Sequence, residues 1–164
     1  MNFAQTRQFD VANGLGIRST VFLSGCKFNC KNCFNVEYQN FSYGKEFTKE
    51  EQQKFINLGK HEYVKGYSIL GGEPLQQDSE QLYDFLCEIK RQTGKTIWMW
   101  TGYRFENIPK QYHKCLEHID VLVDGQFVQE LKDLSLKFKG SSNQRVIDVQ
   151  KTIEQNKVVL FLKD

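Results

Sequence analysis

Four short runs of β-branched and aromatic residues in this chain each stop at a glycine. They are STVFLSG (19–25), YSIL before Gly71-Gly72, KTIWMW (95–100) before Thr101-Gly102, and DVLVDG (120–125). Short apolar runs bounded by such turn residues read as buried strands. The stretches between them carry helix signals. FTKEEQQKFINLG (47–59) opens on Thr48 with Glu51 three residues on, a capping-box pattern, and stops at Gly59. DSEQLYDFLCEIKRQTG (78–94) has Asp78 as N-cap and Gln81 at N3. Its Leu82, Phe85, Leu86 and Ile89 make one apolar face, and Gly94 closes it. PKQYHKCLEHI (109–119) reads as a short helix with Pro109 in its first turn. Two further strands are expected at 145–150 and 157–162. Buried strands alternating with helices define an α/β protein with a parallel sheet.

That architecture predicts where function sits. In parallel α/β sheets and barrels, ligands bind at the carboxyl edge of the strands. All four glycine loops fall there, so they are expected to build one pocket. A complete eight-stranded barrel takes about 250 residues. The 164 residues here, read as a single domain over 1–164, would close an incomplete parallel β/α barrel with a wide lateral opening.

Composition removes other classes. A formal net charge of +2, with lysines interspersed among acids, gives no electrostatic footprint for nucleic acid. No apolar run approaches the roughly 20 residues of a membrane span. The opening MNFAQTRQFDVANG is too polar for a secretory signal, which predicts a cytoplasmic protein with reduced thiols. The odd count of five cysteines argues against a disulfide framework, so cysteine here points to metal or catalysis.

Three of those cysteines sit in SGCKFNCKNCFN (24–35), at Cys26, Cys30 and Cys33. Three thiolates can hold three corners of a cubane iron–sulfur cluster and leave one iron open for a small molecule. The competing reading is zinc, with Cys87, Cys115, His61, His113 or His118 as fourth ligand. Cys87 beside an apolar helix face and Cys115 in a short helix read as packing residues. In LGGEPL (70–75) two glycines let a ligand approach the main chain, Glu73 offers a carboxylate for an ammonium group, and Pro74 stiffens the exit. Thr101 and Asp124 are candidate ribose or ammonium partners, with loop or helix capping the alternative for Asp124.

With these motifs together the chain resembles radical S-adenosylmethionine (SAM) enzymes. More closely it resembles the activating proteins of anaerobic (class III) ribonucleoside-triphosphate reductases. NGLGIRSTVFLSGCKFNCKNCFN, LGGEPL, WMWTGY, DVLVDGQFVQELKDLSL and KGSSNQRVIDV carry that similarity from about residue 10 to 149. The resemblance implies a [4Fe–4S] cluster on Cys26, Cys30 and Cys33, with SAM chelated at the open iron. Gly71, Gly72 and Glu73 would line its methionine end, and Asn32, Cys33 and Phe34 would contact the adenosyl part. One electron, from a flavodoxin- or ferredoxin-type donor, would cleave SAM to methionine and a 5′-deoxyadenosyl radical. That radical would take a hydrogen from a glycine of the reductase large subunit. Asn32 stands where many superfamily members carry an aromatic residue against the adenine, and Phe34 is a candidate substitute from the other side. Three alternatives remain at this point: an activase of the pyruvate formate-lyase type, a radical SAM synthase acting on a small molecule, which needs a more enclosed pocket, and a non-catalytic zinc or iron–sulfur module without SAM dependence.

Some features stay outside that scheme. Gly14-Leu15-Gly16 reads as a turn rather than a nucleotide fingerprint. Arg18 is a candidate carboxylate anchor or a surface ion-pair partner. Trp98 and Trp100 read as core. KGSSNQR (139–145) is expected to be a partner-facing loop or a solvated turn.

Overall fold

The computed structural model describes residues 1–162. Its strands are Asn2–Asp10 (β1), Arg18–Ser24 (β2), Lys45–Glu46 (β3), Gly66–Gly71 (β4), Thr96–Trp100 (β5), Val121–Asp124 (β6) and Arg145–Asp148 (β7). The α-helices are Lys49–Leu58 (α1), Ser79–Thr93 (α2), His113–Leu116 (α3) and Val149–Gln155 (α4). All of β2 and β6 is buried, as strands covered on both faces should be. The sheet runs β3-β1-β2-β4-β5-β6-β7. The four strands β2, β4, β5 and β6 are parallel, as expected from their glycine-ended pattern.

The edges correct the all-parallel expectation. β1 pairs antiparallel with β2, β3 pairs antiparallel with β1 at the outer edge, β7 pairs antiparallel with β6, and the sheet stays open. Connection length explains β1: residues 11–17 are too few for a parallel crossover, which takes a dozen or more. β1 is also polar, with only Phe3 and Asp10 buried, and its pairing slips between Phe3 and Gln5 and between Arg7 and Asp10. Such bulges and polarity belong to edge strands, and they hide a strand from any reading based on apolar runs.

Helix ends follow local chemistry. The Thr48 side chain accepts from Glu51 N at 3.2 Å. Asp78 Oδ1 accepts from Gln81 N at 2.9 Å, and Gly94 ends α2 at φ 63°. Three expectations need correction. The helix expected at 109–119 splits into a 3-10 turn at Lys110–Tyr112 and the single turn of α3. The strand expected at 145–150 ends at Asp148, whose side chain caps α4 by accepting from Lys151 N. The strand expected at 157–162 is reduced to one bridge, Leu160 to Ile147.

The core lies on the helix side of the sheet. Val21, Leu23, Ile69, Ile97, Met99 and Leu122 pack there with Phe55, Ile56, Leu82, Phe85, Leu86 and Ile89. On the opposite face Trp98, Val121, Val123 and Val146 form a smaller cluster with Trp100 and Phe138 packed against it. Strand alternation therefore sends Met99 to one layer and the two tryptophans to the other.

Arg18 is neither a pocket anchor nor a surface ion pair. It is 1% exposed and works as a staple across three strands. It donates to Ser68 Oγ at 2.8 Å, Tyr67 O at 2.8 Å and Thr96 O at 3.0 Å, and stands 5.4 Å from the Trp98 ring. Burial lowers its pKa to about 10, which still leaves it charged at neutral pH. The Gly14 turn fits around it, since a Cβ there would lie 2.6 Å from Arg18 Cδ. Arg18→Ala strands these buried acceptors and should cost on the order of 3 kcal/mol in urea unfolding. A change within about 0.5 kcal/mol would show that the staple is not structural.

Candidate active site

The cysteine loop begins where β2 runs out. Gly25 N donates to Tyr38 O at 2.7 Å and Cys26 N to Gln39 O at 3.0 Å, so residues 25–39 close back on themselves. Within that loop, Cys33 N donates to Cys30 O at 3.2 Å, and Asn29 and Asn32 take left-handed φ of 52° and 54°, a conformation asparagine tolerates. All three cysteines are half-buried free thiols lining one cavity of about 490 Å³. That volume lies within the roughly 300–1,000 Å³ range of small-molecule sites.

The GGEP loop is locked to the cysteine loop by main-chain bonds. Gly72 N donates to Leu23 O and Glu73 N to Gly25 O, each at 2.8 Å, and Gln77 Nε2 reaches Gly25 O at 3.3 Å. Gly71 sits at φ 120°, and a Cβ at Gly72 would fall 2.5 Å from Gly25 O and 2.7 Å from Tyr38 O. Close backbone approach is what requires both glycines. Both line the cavity.

Glu73 ties a third loop to these two. It is 1% exposed. Its Oε1 accepts from Leu75 N at 2.9 Å and Thr101 Oγ1 at 2.8 Å, and Oε2 accepts from Gly102 N at 2.7 Å. A carboxylate has about four acceptor positions, so one remains on Oε2 at the cavity wall. Burial raises the Glu73 pKa to about 7, against the pull of those three donors. The Thr101 hydroxyl is occupied on both sides, donating to Glu73 and accepting from Tyr103 N at 3.1 Å.

Two of the candidate residues are placed away from the cavity. Asp124 is fully buried and faces Arg145, which donates to both its oxygens, with Phe105 N at 2.8 Å and Arg104 Nη1 at 3.4 Å. Its carboxylate serves the loop and ion-pair network that also holds Glu106, whose pKa the Arg145 contact lowers to about 2. Asn32 is exposed and absent from the cavity wall, whereas Phe34 lines it while staying 63% exposed.

The segment between β6 and β7 supplies a wall that the sequence reading did not assign. Phe127, Leu136, Phe138, Gly140 and Gln144 line the cavity. Gln144 Oε1 accepts from Gly140 N at 2.9 Å and Ser141 N at 3.2 Å, while its Nε2 donates to Gly125 O at 2.8 Å. GSSNQ is thus an internally bonded part of the wall rather than a plain solvated turn. Its signal was the glutamine, which can bridge main-chain donors and acceptors at once.

The donor set favours a cluster over a zinc ion. A zinc ion takes its ligands, usually four of them, at one position. A cubane instead places each of three thiolates on a different iron. The proposed fourth zinc ligands are engaged elsewhere: Cys87 Sγ lies 3.2 Å from His118 Nε2, and Cys115 Sγ meets Ser79 O at 4.0 Å. Burial, with a smaller push from neighbouring negative groups, raises Cys26 to about 11, and burial also raises Cys30. Coordinated iron supplies the positive charge that holds such sulfurs as thiolates.

Comparison with known proteins agrees with this class of site. Residues 12–147 match a family described as a 4Fe-4S single cluster domain, which makes the protein a carrier of one iron–sulfur cluster. Three curated relatives narrow it further, each named anaerobic ribonucleoside-triphosphate reductase-activating protein. The Haemophilus influenzae protein is 43% identical over 88% of this chain and 96% of its own length. That of Escherichia coli is 39% identical over 89% and 97%, and that of Vibrio cholerae 38% over 88% and 96%. The chain belongs to the family of anaerobic ribonucleoside-triphosphate reductase-activating proteins.

Glu73 gives this site a pH signature. Its folded pKa of about 7 lies above the ordinary 4.5, so the native state holds the proton more tightly than the unfolded chain. Stability from this group is full below about pH 4.5 and falls as pH rises through 7, by about 3 kcal/mol. Glu73→Gln should abolish that decline in urea unfolding between about pH 5 and pH 8. An equal slope in both proteins would mean that Glu73 is ionised throughout.

Proposed function

We propose that this protein activates an anaerobic ribonucleoside-triphosphate reductase by radical SAM chemistry, on the scaffold of an incomplete β/α barrel. The observation that carries the reading is the joining of the Cys26–Cys33 loop to the GGEP loop through Gly72 N and Glu73 N, around one cavity. Cys26, Cys30 and Cys33 would hold the [4Fe–4S] cluster, and the cavity beside them would take SAM. When bound, cluster and SAM together supply a one-electron reductive C–S cleavage whose carbon radical removes a hydrogen from a glycine Cα.

The chain's own part is binding, orientation and exclusion of side reactions. Glycines at 71 and 72 let the ligand reach the main chain, and the remaining Oε2 position of Glu73 suits an ammonium hydrogen. Thr101 acts through Glu73 and holds the third loop in place. Phe34 and Phe127, with ring centroids 5.1 Å apart, offer aromatic surface to the adenosyl group in place of Asn32. Asp124 serves the same site at one remove, anchoring β6 to β7 through Arg145. A flavodoxin- or ferredoxin-type protein would deliver the electron. The long match to reductase activators favours this target over a pyruvate formate-lyase-type enzyme.

Cysteine substitutions separate ligand from packing residue. Cys30→Ala should lose iron after anaerobic reconstitution and all SAM cleavage. Cys87→Ala should keep at least about half of both, because its sulfur sits outside the site. Iron content and 5′-deoxyadenosine release are the measurements. Loss of iron from the Cys87 variant would redraw the ligand set.

A further inference from the structure

The segment joining β6 to β7 both walls the cavity and carries unusual exposed surface. Leu136, Phe138 and Gly140 line the pocket. A few residues earlier Leu134 is 86% exposed and Leu131 43% exposed, and every residue from 131 to 135 is exposed. Lone exposed leucines are ordinary on protein surfaces. These two differ because the segment that carries them contacts Phe34, itself 63% exposed in the wall of the same cavity, through Phe127 and Lys132. The segment is held against the cysteine loop by Lys31–Glu130 at 2.9 Å, by Phe34 against Phe127, and by Lys132 Nζ 5.1 Å from the Phe34 ring. Trp100 Nε1 donating to Phe138 O at 2.8 Å fixes its far end. The leucines are therefore presented outward on an anchored strap.

Charge points the same way. Residues 25–44 and 126–144 together hold five lysines and three carboxylates, an excess equal to the +2 of the whole chain. The two segments that wall the cavity thus carry a net positive charge, while the rest of the protein is balanced.

We infer that Leu131 and Leu134, with Lys132 and Lys137, form the docking rim for the glycine-bearing part of the reductase, whose docking surface is apolar with acidic groups around it. The inference rests on the activating function proposed above. A glycine Cα must enter the cavity to react, and the strap's own residues form its wall, so the entering chain lies along the strap. An apolar anchor ringed by complementary charge is how such a segment gains both affinity and register.

The test uses the full-length protein with its cluster, SAM and the intact reductase. Leu134→Asp and Lys137→Glu change exposed side chains outside the cavity wall. Each should lower the yield of glycyl radical about tenfold under chemical reduction, while SAM cleavage without reductase stays at the wild-type rate. Unchanged radical yield would overturn the inference. A matching loss of uncoupled SAM cleavage would also overturn it, by assigning the rim to cofactor binding. Loss seen only with a protein electron donor, and not with a chemical reductant, would give the surface to the donor instead. Failure of the proposed chemistry itself would show separately, as absence of SAM cleavage by the wild-type protein.

Discussion

The site depends on two main-chain hydrogen bonds that continue the β2–β4 ladder past the ends of the strands. Gly72 N to Leu23 O and Glu73 N to Gly25 O set the start of the cysteine loop beside the GGEP turn. No side chain could make that junction as tightly, because a Cβ at Gly72 would collide with two carbonyl oxygens. Glu73 then extends the same register to the next strand by accepting from Thr101 and Gly102. Three successive parallel strands thus deliver their loops to one place through backbone geometry, with a single buried carboxylate as the cross-tie. The acidity of that carboxylate follows from the same design, since burial opposes its charge and the three donors support it.

Much of this was legible in the sequence because its physics is local. The parallel strands end in glycines, and the caps Thr48 and Asp78 act on donors within a few residues of themselves. The cysteine loop and GGEP turn could be assigned to one edge because both follow strand ends. What escaped notice depends on partners far away in the chain. β1 is polar and bulged, so it lacks the apolar run that marks an interior strand. The α4 helix hides behind Asp148, which reads as a strand residue until its side chain is seen capping Lys151 N. Asp124 was drawn to the pocket by its place at a strand end, but Arg145, arriving from the antiparallel β7, takes both its oxygens. Arg18 likewise found its partners on β4 and β5 rather than in solvent.

Openness is the other governing constraint. The sheet does not close, its two edges are antiparallel additions, and the β6–β7 strap with Phe127, Leu136 and Phe138 walls the cavity beside it. A small-molecule enzyme of this chemistry would gain from complete enclosure, which excludes water and protects reactive species. An activator whose substrate is a segment of another protein gains from a gap that the partner itself fills. The glycine loops, the buried cross-tie and the exposed strap are consistent parts of that one arrangement.

The central claim is that Cys26, Cys30 and Cys33 hold a cluster whose open iron takes SAM in the adjoining cavity. Low-temperature EPR of the anaerobically reconstituted, chemically reduced protein, recorded with and without SAM, tests it most directly. The account predicts a reduced [4Fe–4S] signal whose shape changes when SAM is added. A cluster signal indifferent to SAM, or an EPR-silent protein containing stoichiometric zinc, would contradict it.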